Sequence, residues 1–274
     1  MSPQTTFVLG GGGLLGAVEV GMLRALLEHD VRPDLVLGTS VGALNGVVVA
    51  DDPTPAATER LEELWRGIGE TDTVYGDAAW RQVRRAVRSG THLHSAGPLR
   101  QRLEDEFGDR TFESLAVPFQ CCAASIERAA ETWFSTGPLV PAVVASAAVP
   151  GLLPPARVGD EHYLDGGIVN SVPVGRAVEL GAERIFVLQV GRLDRPLTAP
   201  TRPWEVARVS FEIARRHRFV REMAALPEGV VAHVLPAGGT PKDDSPRAYR
   251  DAGLVAGRIA TAYRLSSAYL DEHL

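Results

Sequence analysis

The chain has 274 residues, of which 45% are hydrophobic and 23% charged, a composition typical of globular proteins. Its net charge of −6, without a domain-wide basic excess, argues against nucleic acid as a partner. The only cysteines are the neighbours Cys121 and Cys122. A bridge between adjacent residues is strained and closes almost no loop, so a disulfide framework is excluded.

Two further features concern the source and the compartment. Lys242 is the only lysine, and this bias toward arginine indicates a GC-rich bacterial genome. The N-terminus lacks the basic region and the long apolar run of a secretory signal. No uninterrupted apolar stretch approaches the length of a membrane span. We therefore expect a cytoplasmic protein.

Strands and helices alternate at the start of the chain. Residues 6–9 are predicted to form a strand, and a glycine run leads from it into a helix over about 16–28. Residues 35–37 form a second strand that is apolar on both faces, as central parallel strands are. A turn at 38–42 follows, with a helix over 41–50. This βαβα opening predicts an α/β fold with a mainly parallel central sheet between two helical layers.

The same patterns predict the later elements. Strands are expected near 119–124, 132–134, 185–190 and 230–235. Helices are expected over 56–68, 79–88, 99–107, 139–146, 174–180, 204–224 and 249–270. We interpret residues 1–274 as a single domain. Residues 51–110, mostly helical and polar, form a cap-like insert in it, and residues 200–274 form a C-terminal helical part.

The turn Gly38-Thr39-Ser40-Val41-Gly42 matches G-x-S-x-G and has the strand before it and the helix after it that this motif requires. A sharp turn there projects the Ser40 Oγ from the carboxyl edge of the sheet. It lies beside a helix N-terminus, which favours developing negative charge. The flanking glycines leave room for neighbouring chain. Ser40 is therefore a candidate nucleophile, and the alternative is a serine that merely caps the helix.

The run from Gly11 to Gly16 fits G-x-G-x-x-G. A dinucleotide site would place an acidic residue at the end of the second strand, but Asp34 lies at that strand's other end, and no lysine follows the glycines as in a phosphate loop. Sequential parallel strands usually lie side by side, so this loop and Ser40 are expected at one edge of the sheet. The amides of Gly11, Gly12, Gly13 and Leu14 are then candidates for an oxyanion hole. Nucleotide binding remains the alternative.

A serine nucleophile needs a base, and no histidine has a distinctive setting. The seven histidines are His29, His92, His94, His162, His217, His233 and His273. Asp165 instead ends the short strand HYLD and is followed by Gly166 and Gly167, which allow close packing of the backbone. In a water-poor contact with Ser40 its proton affinity would rise enough for a base. An ordinary Asp-Gly turn is the alternative.

Together these motifs resemble those of the patatin-like phospholipases. The resemblance covers the glycine loop at 11–16, GTSVGALNG at 38–46, ASAAVPGLLPP at 145–155 and DGGIVNSVP at 165–173. It implies a Ser–Asp dyad on a three-layer α/β/α fold, with Ser40 as nucleophile, Asp165 as general base and the glycine loop as oxyanion hole. Residues that support the motifs or line the site in this resemblance are Gly16, Gly38, Gly42, Gly166, Gly167, Ser146, Ala147, Ala148, Pro150 and Gly151.

One position departs from the family pattern. Members usually carry arginine or lysine just before the last glycine of the loop, where this chain has Leu15. Loop anchoring, or contact with an anionic head group, is therefore expected to differ, and acyl-ester hydrolysis is supported more firmly than a phospholipid head group.

The resulting prediction is a serine acyl hydrolase that acts on lipid esters and needs neither a metal nor an organic cofactor. Two alternatives remain open: an acyltransferase with the same dyad, and a non-catalytic lipid- or nucleotide-binding module. The segment WRQVRRAVR at 80–88 places apolar and basic residues on different helix faces. That pattern fits peripheral contact with an anionic membrane and also fits the solvated face of a packed helix.

Overall fold

The computed structural model describes residues 4–70, 92–190, 196–238 and 252–274. Within these residues one mixed sheet has the strand order β5-β6-β3-β2-β1-β7-β8, and β4 pairs with β3 off this path. The strands are β1 Thr5–Leu9, β2 Leu35–Thr39, β3 Phe119–Ser125, β4 Ala130–Phe134, β5 Ala156–Val158, β6 Glu161–Asp165, β7 Arg184–Leu188 and β8 Val231–Val234. The central strands β3, β2, β1, β7 and β8 run parallel, whereas β4, β5 and β6 pair antiparallel.

Helices cover both faces of this sheet. They are α1 Ala17–Glu28, α2 Val41–Asp51, α3 Pro55–Glu70, α4 Gly97–Phe107, α5 Leu139–Ser146, α6 Val174–Glu179, α7 Pro203–Ala224 and α8 Ala252–His273. Short 3-10 turns occupy Gly13–Gly16, Phe112–Ser114 and Gly166–Ile168. In the described part of the chain, no helix is both long and apolar enough to cross a membrane.

The two helical layers follow from the alternation of side chains along the strands. In β1, Phe7 and Leu9 belong to a buried cluster with residues of α1, α2, α3 and α8. Val8 between them points to the opposite face, where it packs with Val174 of α6 and Phe219 of α7. The sheet is therefore buried on both sides, as expected for parallel strands.

The predicted fold class is confirmed: the architecture is α/β/α with a mostly parallel central sheet. Every predicted strand has a counterpart within one or two residues at most ends, but the three-residue strand β5 was not predicted. The first helix differs because a 3-10 turn over Gly13–Gly16 precedes α1. The helix predicted at 79–88, and with it the basic segment at 80–88, lies outside the described residues.

The connection between β1 and β2 positions the predicted site. These strands are direct parallel neighbours, with Leu9 paired to Gly38 at their carboxyl ends. The glycine loop that follows β1 and the serine turn that follows β2 therefore emerge at the same edge of the sheet. β3 borders β2 on the other side and carries β6, which ends at Asp165.

Candidate active site

Ser40 is the single residue between β2 and α2. Its φ of 57° and ψ of −122° are unusual for a residue with a side chain, and such strain costs about 1–3 kcal/mol. The glycines of the motif allow the turn to be this tight, because a Cβ on Gly38 would collide with the backbone of Gly42 and Ala43, and one on Gly42 with the carbonyl of Leu9. The Ser40 amide donates to Ser146 Oγ at 3.0 Å, and that hydroxyl donates to the Cys122 carbonyl at 2.6 Å.

The Ser40 hydroxyl does not cap the helix. No side-chain hydrogen bond caps α2, and Ser40 Oγ instead donates to Asp165 Oδ2 at 2.5 Å. Both residues are buried, with 5% and 3% of their surface exposed. The helix-capping alternative for this serine is therefore wrong, and the two predicted residues, 125 positions apart in the chain, are in direct contact.

Three contacts fix Asp165 and the turn that follows it. Its own amide donates to the Ala148 carbonyl at 2.9 Å, which fixes the end of β6. The Gly167 amide donates to Asp165 Oδ1 at 2.7 Å, which leaves Oδ2 for Ser40. Gly166 lies so close to the Cys122 carbonyl that a Cβ would collide with it. The Asp-Gly turn is thus present as well, and it orients the carboxylate toward Ser40.

Burial sets the proton affinity of this carboxylate. Desolvation raises the pKa of Asp165 to about 6, against the opposing effect of the hydrogen bonds from Ser40 and Gly167. The group is therefore a stronger base than an exposed aspartate, while it remains largely ionised at neutral pH.

The glycine loop lies next to Ser40. A Cβ added to Gly11 would be 3.4 Å from the Ser40 Cβ, and Gly13 and Ser40 line the same cleft. The Gly11 amide, however, donates to the Ser171 carbonyl at 2.8 Å. Gly11 therefore anchors the loop and is not available as a donor to substrate, which corrects its place in the predicted oxyanion hole. For the amides of Gly12, Gly13 and Leu14, no acceptor is found among the described residues.

Two positions in this loop show why it needs glycine. Gly13 has a φ of 57°, in the left-handed region. Gly16 packs against the side chains of Val41 and Trp65 without room for a Cβ. The Asn45 side chain donates to the Gly16 carbonyl at 3.0 Å, which ties the end of the loop to α2. Leu15, at the position where the family carries a basic residue, is partly buried against the core.

A mostly apolar cleft opens from Ser40. Its apolar walls come from α2, α3 and α4 and comprise Leu44, Val48, Leu61, Leu64, Trp65, Leu99, Leu103 and Phe107. Ala147 and Val149 add a wall from the predicted small-residue segment, and the charged side chains Arg102 and Glu106 also line the cleft. The role of α3 and α4 was not predicted, although their amphipathic spacing marks an inward apolar face.

The position of Asp34 argues against the nucleotide alternative. Its Oδ2 accepts a hydrogen bond from the Thr5 amide at 2.9 Å, at the opposite edge of the sheet from the glycine loop. The carboxyl end of β2 carries Thr39, whose hydroxyl donates to the Asn170 carbonyl at 2.8 Å. Neither residue offers an acidic group beside the glycine loop for a ribose.

Comparison with known proteins identifies the family. The family model described as "Patatin-like phospholipase" matches residues 7–178, more than half of the chain. The chain belongs to this family. A mouse relative, patatin-like phospholipase domain-containing protein 7, is 32% identical over 190 residues, and a Caenorhabditis elegans patatin-like phospholipase domain-containing protein, ZK370.4, has the same identity over the same length. Lysophospholipase nte1 of Emericella nidulans is 30% identical over 188 residues.

These matches cover 68% of this chain but only 12–14% of the relatives. This patatin-like phospholipase chain therefore spans a small part of the length of the curated proteins that it matches. Among solved structures, VipD from Legionella pneumophila aligns over 100% of this chain and 67% of its own, with 13% identity and a TM-score of 0.46. The type III effector ExoU aligns over 96% of this chain and 54% of its own, with 13% identity and a TM-score of 0.33.

Proposed function

We propose that this chain is a serine acyl hydrolase that cleaves fatty-acyl ester bonds of lipids through a Ser40–Asp165 dyad. The observation that carries the proposal is the buried 2.5 Å hydrogen bond from Ser40 Oγ to Asp165 Oδ2, formed on a strained strand-to-helix turn beside the glycine loop. A nucleophile within hydrogen-bond reach of a base that a third group orients is the arrangement required for covalent catalysis. Here the orienting group is the Gly167 amide.

The acylation step follows from this geometry. The Asp165 carboxylate takes the proton of Ser40 Oγ as the oxygen attacks the ester carbonyl carbon. The carbonyl oxygen becomes an oxyanion, and the amides of Gly12, Gly13 and Leu14 donate to it. When the tetrahedral intermediate collapses, the ester C–O bond breaks and protonated Asp165 gives its proton to the leaving alkoxide. Ser40 is left as an acyl ester.

Deacylation repeats this sequence with water as the nucleophile and Ser40 Oγ as the leaving group. Asp165, again ionised, takes a proton from water, and the hydroxide attacks the acyl-enzyme carbonyl. Collapse of the second intermediate returns the proton to Ser40 Oγ and releases the fatty acid. Because burial raises the pKa of Asp165 to about 6, the carboxylate is both available and sufficiently basic near neutral pH.

The cleft that leads from Ser40 suits the acyl chain of such a substrate. The cleft-lining positions of α2 run from Val41 to Val48, about 10 Å at 1.5 Å per residue, and apolar side chains of α3 and α4 line the same cleft. Burial of each methylene there contributes about 0.8 kcal/mol. Because relatives carry the name lysophospholipase, a single-chain phospholipid is the first substrate class that we propose.

The test is hydrolysis of lysophosphatidylcholine and of chromogenic fatty-acyl esters by wild type, Ser40→Ala and Asp165→Asn. We expect release of fatty acid by wild type and loss of at least about 1,000-fold in kcat for each variant. The exposed Ser210 on α7 supplies the matched control, and Ser210→Ala should retain wild-type activity. Unchanged activity in Ser40→Ala would refute the proposal, and transfer of the acyl group to added glycerol in place of water would assign an acyltransferase.

A further inference from the structure

Arg215 of α7 contacts the glycine loop from 204 positions further along the chain. Its Nη1 donates to the Gly11 carbonyl at 3.1 Å, and its side chain is only 6% exposed. The same guanidinium makes two bonds to the Glu212 carboxylate, from Nε at 3.0 Å and from Nη2 at 2.8 Å. The planar fork is thus oriented by Glu212, and its remaining arm is directed at the loop.

The contacted oxygen belongs to the peptide that carries the Gly12 amide. Because the C=O of Gly11 and the N–H of Gly12 are parts of one planar trans peptide, they point in opposite directions. A donor that fixes the Gly11 oxygen therefore fixes the direction of the Gly12 N–H. A charged donor also withdraws electron density from the peptide, which makes the opposite N–H a stronger hydrogen-bond donor.

Two contacts tie the ends of this loop, one to the Gly11 amide and one to the Gly16 carbonyl, but the glycines between them provide little restraint of their own. Consecutive glycines have the largest backbone freedom of any residue type. The Gly11 amide is held by the Ser171 carbonyl. The loop from Gly11 to Gly16 has leucine at position 15 and carries no basic side chain of its own. Arg215 lies 204 positions from Gly11 and reaches the loop from a neighbouring helix.

We propose that Arg215 is a positioning residue for the oxyanion hole: it orients and polarises the Gly11–Gly12 peptide so that the Gly12 N–H donates to the oxyanion formed at Ser40. This inference rests on the proposed function. It assigns a role to α7, which begins at Pro203, beyond the residues 7–178 that the family model matches.

The second contact of α7 supports a role for the whole helix at this site. Arg218, three residues after Arg215, donates from Nη1 to the Val169 carbonyl at 2.6 Å, and the Phe211 ring lies against Gly167. Gly167 is the residue whose amide orients the Asp165 carboxylate. One helix therefore contacts both the glycine loop and the loop that follows Asp165.

The simpler interpretation is that Arg215 only stabilises α7 through its ion pair with Glu212. The two interpretations differ in what the Arg215→Met variant does to the reaction. Arg216 provides a matched control, since its Nε also donates to Glu212 Oε1 at 2.8 Å. Arg216→Met removes a guanidinium from the same carboxylate and leaves the bond from Arg215 to Gly11.

The experiment measures kcat, KM and the affinity for a fluoromethyl ketone that forms a tetrahedral adduct with Ser40. Removal of an oxyanion-hole donor lowers kcat by about 100- to 1,000-fold. Arg215→Met only misplaces the Gly12 N–H, so we expect it to lower kcat by roughly 10- to 100-fold. KM should stay within about twofold, because the interaction forms in the transition state. Inhibitor affinity should fall in proportion to kcat/KM, and Arg216→Met should match wild type in all three.

Arg215→Lys keeps a charged donor and decides the question if Arg215→Met does not fold. We expect its kcat to lie between those of wild type and Arg215→Met, or below wild type if the methionine variant is unfolded. Wild-type kcat in a folded Arg215 variant, or an equal loss in Arg216→Met, would overturn the inference. Ser40→Ala separates the two proposals: if it is inactive while the Arg215 variants match wild type, only the role of Arg215 fails.

Discussion

Asp165→Asn should abolish activity and at the same time make the protein more stable at neutral pH. The carboxylate is buried and its pKa is raised from the ordinary 3.8 to about 6, chiefly by desolvation. The folded state therefore binds the proton more tightly than the unfolded chain. The stability that this proton contributes is present below the ordinary pKa and is lost as pH rises through about 6.

The size of the effect follows from the difference in pKa. At about 1.4 kcal/mol for each pKa unit, the ionised Asp165 lowers the free energy of unfolding by about 3 kcal/mol at neutral pH. Asparagine carries no charge, so this loss disappears. The asparagine oxygen can accept from the Gly167 amide, and its NH₂ can donate to Ser40 Oγ, so both hydrogen-bonding positions stay occupied.

The assay is denaturant unfolding of both proteins as a function of pH. The difference in the free energy of unfolding, Asp165→Asn minus wild type, should rise by about 2–3 kcal/mol between about pH 4 and pH 8. Subtraction of the two curves removes the contribution of every group that titrates equally in both proteins. A difference that is constant over this range, or that falls with rising pH, would refute the reasoning.

Three further predictions concern the surroundings of the dyad. Val48→Phe should block the cleft and lower the ratio of activity on palmitoyl esters to activity on butyryl esters by at least about tenfold, since the loss of two buried methylenes already has that effect. An unchanged ratio would show that the acyl chain of the substrate binds outside this cleft. Ser146→Ala should lower the free energy of unfolding by about 1–3 kcal/mol because the buried Ser40 amide loses its acceptor, and denaturant titration would contradict this if the midpoint were unchanged. Burial raises the pKa values of both thiols, Cys121 and Cys122, so iodoacetamide should alkylate them only upon unfolding; rapid labelling of the native protein would be inconsistent with their burial.

Local motifs were the part of the site that sequence could predict. A strand, a glycine-flanked serine and a helix are consecutive in the chain, so the turn at Ser40 follows from neighbouring residues alone. The meeting of Ser40 with Asp165 needed two more ideas, the adjacency of parallel strands and the resemblance to a family. Strand β5, with only the three residues Ala156–Val158, was too short to show an alternating pattern.

Contacts made by a helix far along the chain could not be predicted. The bond from Arg215 to the Gly11 carbonyl depends on how α7 packs across the sheet, and no motif marks that arginine among the many of α7. The hydrogen bond from the Gly11 amide to the Ser171 carbonyl likewise joins residues that are far apart in the sequence. A run of glycines predicts exposed amides, but only the surrounding backbone determines which of them are already bonded.

The most direct test of the dyad is the pH dependence of fluorophosphonate labelling at Ser40, followed by intact mass. If Asp165 is the base, the labelling rate of wild type should rise with pH to a plateau, with a midpoint near the raised pKa of about 6. The Asp165→Asn variant should label far more slowly and without that midpoint. Equal labelling rates in the two proteins would contradict the account, because the Ser40 proton would then pass to another group.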